Sequence, residues 1–187
     1  LENERSKFIS YQYNWKLVKL LSSIKGNDPK YYKNFFESTL AFSNTSDSFK
    51  LNLYPIAFKN TDEDHWESWH FEKTGFPTKA LYLSWCQLNR FPNLKLFAEN
   101  HSPKAIICTG SSYKTHFQMA FSGLRSAFDE MESKLIGDKY LYWKHINKGN
   151  TILFIIPFLG QGGLKSDAEI KVFGDEIATI LSKFKPK

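Results

Sequence analysis

Ala105-Ile106-Ile107-Cys108-Thr109-Gly110-Ser111-Ser112 decides the fold. An uncharged apolar run that stops at a glycine is short for a helix. It reads as a strand buried on both faces, the pattern of a parallel sheet. Thr151-Ile152-Leu153-Phe154-Ile155-Ile156 repeats that pattern, and Pro157 and the turn Gly160-Gln161-Gly162-Gly163 follow it. Each run then leads into a helix. Ser111 and Ser112 offer caps for one that extends to about Phe121, and Ser166-Asp167-Ala168-Glu169 is a Ser-x-x-Glu capping box for a last helix to about Phe184.

Toward the N-terminus, Trp15, Leu17, Val18, Leu20, Leu21 and Ile24 give helical spacing from Asn14 to Lys25, closed by Gly26. Asn27-Asp28-Pro29 caps a second helix, to about Leu40. Ser43 to Ser48 is a loop, and Phe49 to Tyr54 is a third strand, closed by Pro55. Residues 59–76 read as a Trp-rich surface excursion with one helical turn. Pro77 opens a helix whose apolar positions include Leu81, Leu83, Trp85 and Leu88; Arg90-Phe91-Pro92 restarts it, and Leu94 to Ala98 continue it. Tyr140 to His145 is an edge strand. Strands alternating with helices predict a single α/β domain over residues 1–187, with a mostly parallel central sheet of 49–53, 104–109 and 150–156 flanked by helices.

Composition narrows the function classes. The 187 residues carry a net charge of +6, and aromatic residues make up 17% of them. Most rings must pack in the core, and a minority can stack on nucleobases. The basic balance fits an acidic partner such as DNA, and equally plain solubility. Cys86 and Cys108 are the only cysteines, and Cys108 lies in a buried run. No disulfide framework is expected, and a reducing, cytoplasmic setting follows. Neither a membrane span nor a signal peptide is expected. The histidines have no metal-ligand spacing; His65 and His70 lie five apart in an expected loop, His101 suits a helix end, and His116 and His145 have no assigned place. Neither a metal nor a cofactor is expected. The chain opens on Leu1 and is expected to begin inside a longer parent.

In α/β sheets, ligands bind beyond the carboxyl ends of the strands. That rule brings together Asn52-Leu53-Tyr54-Pro55, Gly110-Ser111-Ser112 and the stretch Pro157 to Gly163. Asn52 carries an amide that both donates and accepts, so it can read a base edge or tie a turn. Gly160, Gln161, Gly162 and Gly163, with Lys165 and Ser166, can approach a phosphate backbone or simply connect strand to helix. Ser111, Ser112 and Lys114 can hold a phosphate or cap their helix.

These strand ends, in this order, resemble the uracil-DNA glycosylase superfamily. Leu51-Asn52-Leu53-Tyr54-Pro55 looks like the strand whose Asn reads the flipped base. Ile107-Cys108-Thr109-Gly110-Ser111 is similar to the second strand and its turn. Ile155 through Ser166 occupies the place of the loop that enters the DNA groove. The resemblance implies a DNA glycosylase-like hydrolase of DNA repair that flips a base, with Asn52 and Tyr54 toward the base and the remaining residues toward DNA. Two departures stand out. The water-activating turn that follows the family's first strand has no counterpart, which places that catalytic residue upstream of Leu1. The family's leaving-group histidine aligns with Ile156, which donates no hydrogen bond. The alternatives are a nucleic-acid or nucleotide binding domain without catalysis, and a hydrolase of a small nucleoside-like substrate.

Overall fold

The computed structural model describes residues 7–43, 45–56, 58, 62 and 65–185. In chain order its elements are α1 (Gln12–Ile24), α2 (Tyr32–Thr39), α3 (Ser68–Thr74), α4 (Lys79–Trp85), α5 (Phe91–His101), β1 (Ala105–Thr109), α6 (Lys114–Ser122), β2 (Glu132–Ile136), β3 (Lys139–Ile146), β4 (Thr151–Ile156) and α7 (Asp167–Lys183). The chain divides into two compact units. One draws on the chain through Lys50, on Pro103–Lys114 and on the chain from Glu130 onward; the other is Leu51–Ser102 with Thr115–Asp129.

The first unit holds a four-stranded sheet in the order β1-β4-β3-β2. Only β1 and β4 run parallel, with Ala105 opposite Ile152 and Thr109 opposite Ile156. β3 is antiparallel to β4 and to β2. The sheet is therefore mixed, not mostly parallel. The reason is connection length. Gly137-Asp138 joins β2 to β3 and residues 147–150 join β3 to β4, whereas a parallel crossover needs about a dozen residues or more. Tyr140 to His145 thus lies inside the sheet, and the edge on that side is β2, whose polar opening Glu132-Ser133-Lys134 hides the strand in the sequence.

Every residue of β4 is buried, as the central place of a strand between two neighbours requires. One sheet face, with Ile152, Phe154, Ile156 and Leu141, packs on Leu20 of α1 and on Ile170, Phe173 and Ile177 of α7. Gly174 lets α7 approach α1: a Cβ there would collide with the Ser23 side chain. Two lysines of α1 then tie down the chain that enters α7. Lys19 Nζ donates to both carboxylate oxygens of Asp167 at 2.7 Å. The buried Lys16 Nζ donates to the carbonyls of Leu164 and Lys165 at 3.2 and 3.0 Å. Two of the expected N-terminal caps form. Asp28 accepts from Lys30 N–H at 2.9 Å, and Ser166 and Glu169 complete the capping box.

The expected strand Phe49–Tyr54 is irregular instead. Its hydrogen bonds go to side chains rather than to a ladder. In the first unit Lys50 Nζ donates to Asn14 Oδ1 at 2.8 Å. In the second unit Arg90 donates to the carbonyls of Asn52 and Leu53, each at 2.9 Å. Of residues 59–76, positions 59–61, 63 and 64 lie outside the described residues.

The second unit is helical. Helix α4 starts at Lys79, capped by Thr78, and a π turn at Cys86–Arg90 carries it into α5, with Pro92 in the first turn. Its buried face is Lys79, Tyr82, Leu83 and Cys86, while Leu81, Trp85 and Leu88 of the expected apolar set are exposed. Lys79 is buried because its Nζ donates to Asp62 O at 2.6 Å and sits over the Phe58 ring. The Trp-rich stretch is more than surface. His70 stacks between Trp66 and Trp69, with ring centroids 4.6 and 3.7 Å away, and its Nδ1 accepts from Glu67 N–H at 3.0 Å.

Candidate functional site

Strands β1 and β4 end side by side, and Gly110 N–H continues their ladder by donating to Ile156 O at 2.9 Å. Both chains then turn. Gly110 takes φ 109°, in the region open to glycine, and starts a 3-10 turn at Ser111–Tyr113 that runs into α6. No side chain caps that turn; its cap residue is Gly110, so the capping role read for Ser111 and Ser112 is not realised. Both serines are exposed instead. Lys114 Nζ lies 4.5 Å from the Tyr142 ring centroid, held along the sheet.

After β4, the chain wraps around one carbonyl. Phe158 O accepts from Gly160 N–H at 3.0 Å and from Leu164 N–H at 2.7 Å, and Gly163 N–H donates to Gly160 O at 3.0 Å. The Gly-rich turn is thus a fixed knot rather than a loose loop. Gln161 and Gly162 stand exposed at its tip, while Gly160 and Gly163 are buried inside it. The knot holds up the Phe158 ring, 47% exposed, which stacks on Tyr13 at 5.5 Å and 21°. Tyr13 is fixed in turn, its hydroxyl 2.7 Å from Thr109 Oγ1 at the end of β1. Burial raises its phenol above the ordinary value, so the group stays neutral near pH 7. Lys50 Nζ lies 5.1 Å from the other partner in this corner, the Tyr13 ring, and burial lowers its affinity for the proton.

At the start of α7, the anion position is already taken. Glu169 Oε2 accepts from Lys165 N–H at 2.8 Å and Ser166 N–H at 2.9 Å, and Lys139 donates to Glu169 Oε1 at 2.9 Å. The Ser166 N–H and the Lys139 ammonium, with the Lys165 N–H, hold this carboxyl down to about 2. A phosphate at that helix end would have to displace a carboxylate. The exposed Lys165 side chain remains as a surface cation.

Ile156 is fully buried in the sheet, so no hydrogen-bond donor stands where the leaving-group histidine of the resemblance would be. Asn52 and Tyr54 lie in the second unit. Asn52 is exposed, with its carbonyl anchored by Arg90. Tyr54 is 7% exposed and enclosed by Phe58, Tyr82, Phe91 and His116. Its hydroxyl lies 2.7 Å from His116 Nδ1. Tyr54 is therefore a packing residue. The sequence reading did not place Tyr13, and it named Thr109 and Phe158 only as parts of their strand-end stretches. Phe158 sits one residue after a Pro that closes a strand, which is the signal that it tops the strand end.

Among the described residues, no group of three or more His, Cys, Asp or Glu side chains is arranged to hold a metal ion. No helix among them is long and apolar enough to cross a membrane. Compared with known proteins, the chain matches no protein-family model, no curated protein sequence and no solved structure.

Proposed function

We propose that this chain is a DNA-binding, glycosylase-like protein whose strand-end corner receives a base lifted out of the stack. The observation that carries the reading is the Phe158 ring, propped half-exposed on Tyr13 beside the adjoining ends of β1 and β4. A rigid aromatic face at the carboxyl end of parallel strands suits stacking on a nucleobase, which is worth about 1–3 kcal/mol per base. Exposed Ser111, Ser112, Gln161 and Lys165 flank that end as phosphate and sugar contacts, and the net charge of +6 favours a polyanion. Asn52 of the second unit has its backbone anchored and its side chain exposed, and its base-reading role stays only as what the resemblance implies.

Hydrolysis of the N-glycosidic bond is the second reading. It needs an activated water and a donor for the departing base. Ile156 supplies no donor, and Asp167 and Glu169 are engaged in pairing with Lys19 and Lys139. In this reading the water-activating group comes from outside the residues named here, and uracil excision is slow. The test measures fluorescence anisotropy of labelled oligonucleotides with the wild type, Phe158→Ala and Asn52→Ala, alongside alkaline cleavage of uracil-bearing and modified-base oligonucleotides. Binding that weakens in both variants supports the proposal. Cleavage that disappears in Asn52→Ala raises the hydrolase reading above simple binding. No binding at low salt overturns both.

A further inference from the structure

We propose that the open edge of β1 pairs with β1 of a second copy of this chain, antiparallel about Ile107, to form a two-fold dimer with a continuous sheet. The inference is independent of the DNA-binding reading. It starts from a contrast between the two edges of one sheet. The β2 edge is Glu132-Ser133-Lys134-Leu135-Ile136, exposed and charged, with Lys134 Nζ paired to Glu176 Oε2 at 2.6 Å. That is how an edge is kept free of other strands. The β1 edge is Ala105-Ile106-Ile107-Cys108-Thr109, with no charge, no proline and only partial burial of Ala105, Ile106, Ile107 and Thr109. It has the composition of an interior strand.

Among the described residues, the outward backbone groups on that edge have no hydrogen-bond partner. Lys104 O accepts from Ile152 N–H at 3.1 Å, and Gly110 N–H donates to Ile156 O at 2.9 Å. Successive residues of a strand alternate direction, so Ile106 and Cys108 complete the ladder to β4. The N–H and C=O groups of Ala105, Ile107 and Thr109 therefore point the other way. Among the described residues, none of them bonds to another segment. Unpaired backbone groups on a half-buried strand are costly, and pairing is the usual remedy.

This unpaired set is symmetrical about Ile107, which is why a second copy fits it. An antiparallel two-fold through Ile107 sets Ile107 against the partner's Ile107 and Ala105 against the partner's Thr109. Every outward N–H and C=O on both strands then finds a partner. Ile106 meets the partner's Cys108, and Lys104 meets the partner's Gly110, so no like charges face each other. Closed two-fold pairing also leaves no edge of this kind for further growth.

The experiment uses the full chain. Sedimentation equilibrium is expected to show a concentration-dependent dimer. Amide exchange followed by NMR is expected to show Ile107 and Thr109 becoming protected as the dimer fills, while Ile106 and Cys108 are protected throughout. Ala105→Pro removes one outward N–H without touching the ladder to β4, and it is expected to give a folded monomer. Should that variant not fold, Ile107→Cys under mild oxidation provides the second arm: the two-fold brings the paired thiols within disulfide reach, so a covalent dimer absent from the wild type is expected. A monomer at every concentration overturns the proposal. So does a dimer whose Ile107 and Thr109 amides stay unprotected, a folded Ala105→Pro that still dimerises, or no covalent dimer from Ile107→Cys.

Discussion

Gly163 lies directly against the Phe158 carbonyl, so that a Cβ at position 163 would overlap the oxygen that anchors the whole turn. That oxygen holds Gly160 and Leu164, so the neighbour cannot give way. Gly163→Ala should cost about 1–3 kcal/mol or more, the range for overpacking. Gly162, at φ 84° with open space around its Cβ position, offers the comparison. Gly162→Ala meets only backbone strain, about 1–2 kcal/mol. Urea unfolding of the two variants measures both, and a Gly163→Ala as stable as the wild type would refute the knot.

Acid stability should carry a signature of Glu169. Its carboxyl sits at about 2 in the fold, below its ordinary value of 4.5, because the Ser166 N–H, Lys139 and the Lys165 N–H favour the charged form. A depressed carboxylate contributes stability that is present above the unfolded value and lost as the pH falls through the folded one. The loss from this group therefore falls between about pH 4.5 and 2. Thermal unfolding across that window should decline less steeply in Glu169→Gln than in the wild type.

Lys16 acts as a cap made from a side chain. Its buried ammonium serves the carbonyls of Leu164 and Lys165. Lys16→Met keeps the length and removes the donor, and should cost about 1–3 kcal/mol, as for a buried acceptor left unmade. Chemical denaturation checks it, and an unchanged midpoint would assign the stability of this corner to the Lys19–Asp167 pair.

Core truncations should rank by strand position. Leu153 and Ile155 of the central β4 are fully buried, and Leu153→Ala or Ile155→Ala should cost ~2–5 kcal/mol. Ile106 and Ile107 of β1 are only partly buried. Their alanine variants should cost less in the isolated chain, as calorimetry at matched concentration would show.

DNA affinity should fall as salt rises, because phosphate contacts release counterions. Phe158→Ala should lower affinity roughly 5- to 150-fold, the equivalent of about 1–3 kcal/mol of lost stacking, while leaving the salt slope in place. Lys165→Ala should do the reverse, flattening the slope with a smaller loss. Anisotropy titrations at several salt concentrations separate the two, and a Phe158→Ala that binds as tightly as the wild type would remove the ring from the site.

Several elements were legible because their signals are local. The apolar runs of β1 and β4, the Asp28-Pro29 cap and the Ser166–Glu169 box each depend on residues a few positions apart. The failures share a different cause. Phe49 to Leu53 alternates like a strand, but Lys50 belongs to one compact unit and Leu51 to the other; Lys50 bonds to the Asn14 side chain, and the carbonyls of Asn52 and Leu53 accept from Arg90. β2 was invisible because an exposed edge strand needs no apolar pattern. The short step from Ile146 to Thr151 is the local signal for the antiparallel joining of β3 to β4.

By itself, the sequence determined an α/β chain with two apolar strands, the glycine and proline turns that end them, and the capped helix that follows the second. Those features rest on periodicity, backbone restriction and neighbours along the chain. Only the tertiary structure decided which strands are neighbours, that β1 stands at an open edge, and that Tyr13, Thr109 and Phe158 meet in one corner. Tyr13 and Thr109 are 96 positions apart, and no local preference encodes a contact at that separation. It forms because packing α1 and α7 on one sheet face buries more apolar surface than either element can alone, and the strand ends are carried into place with it.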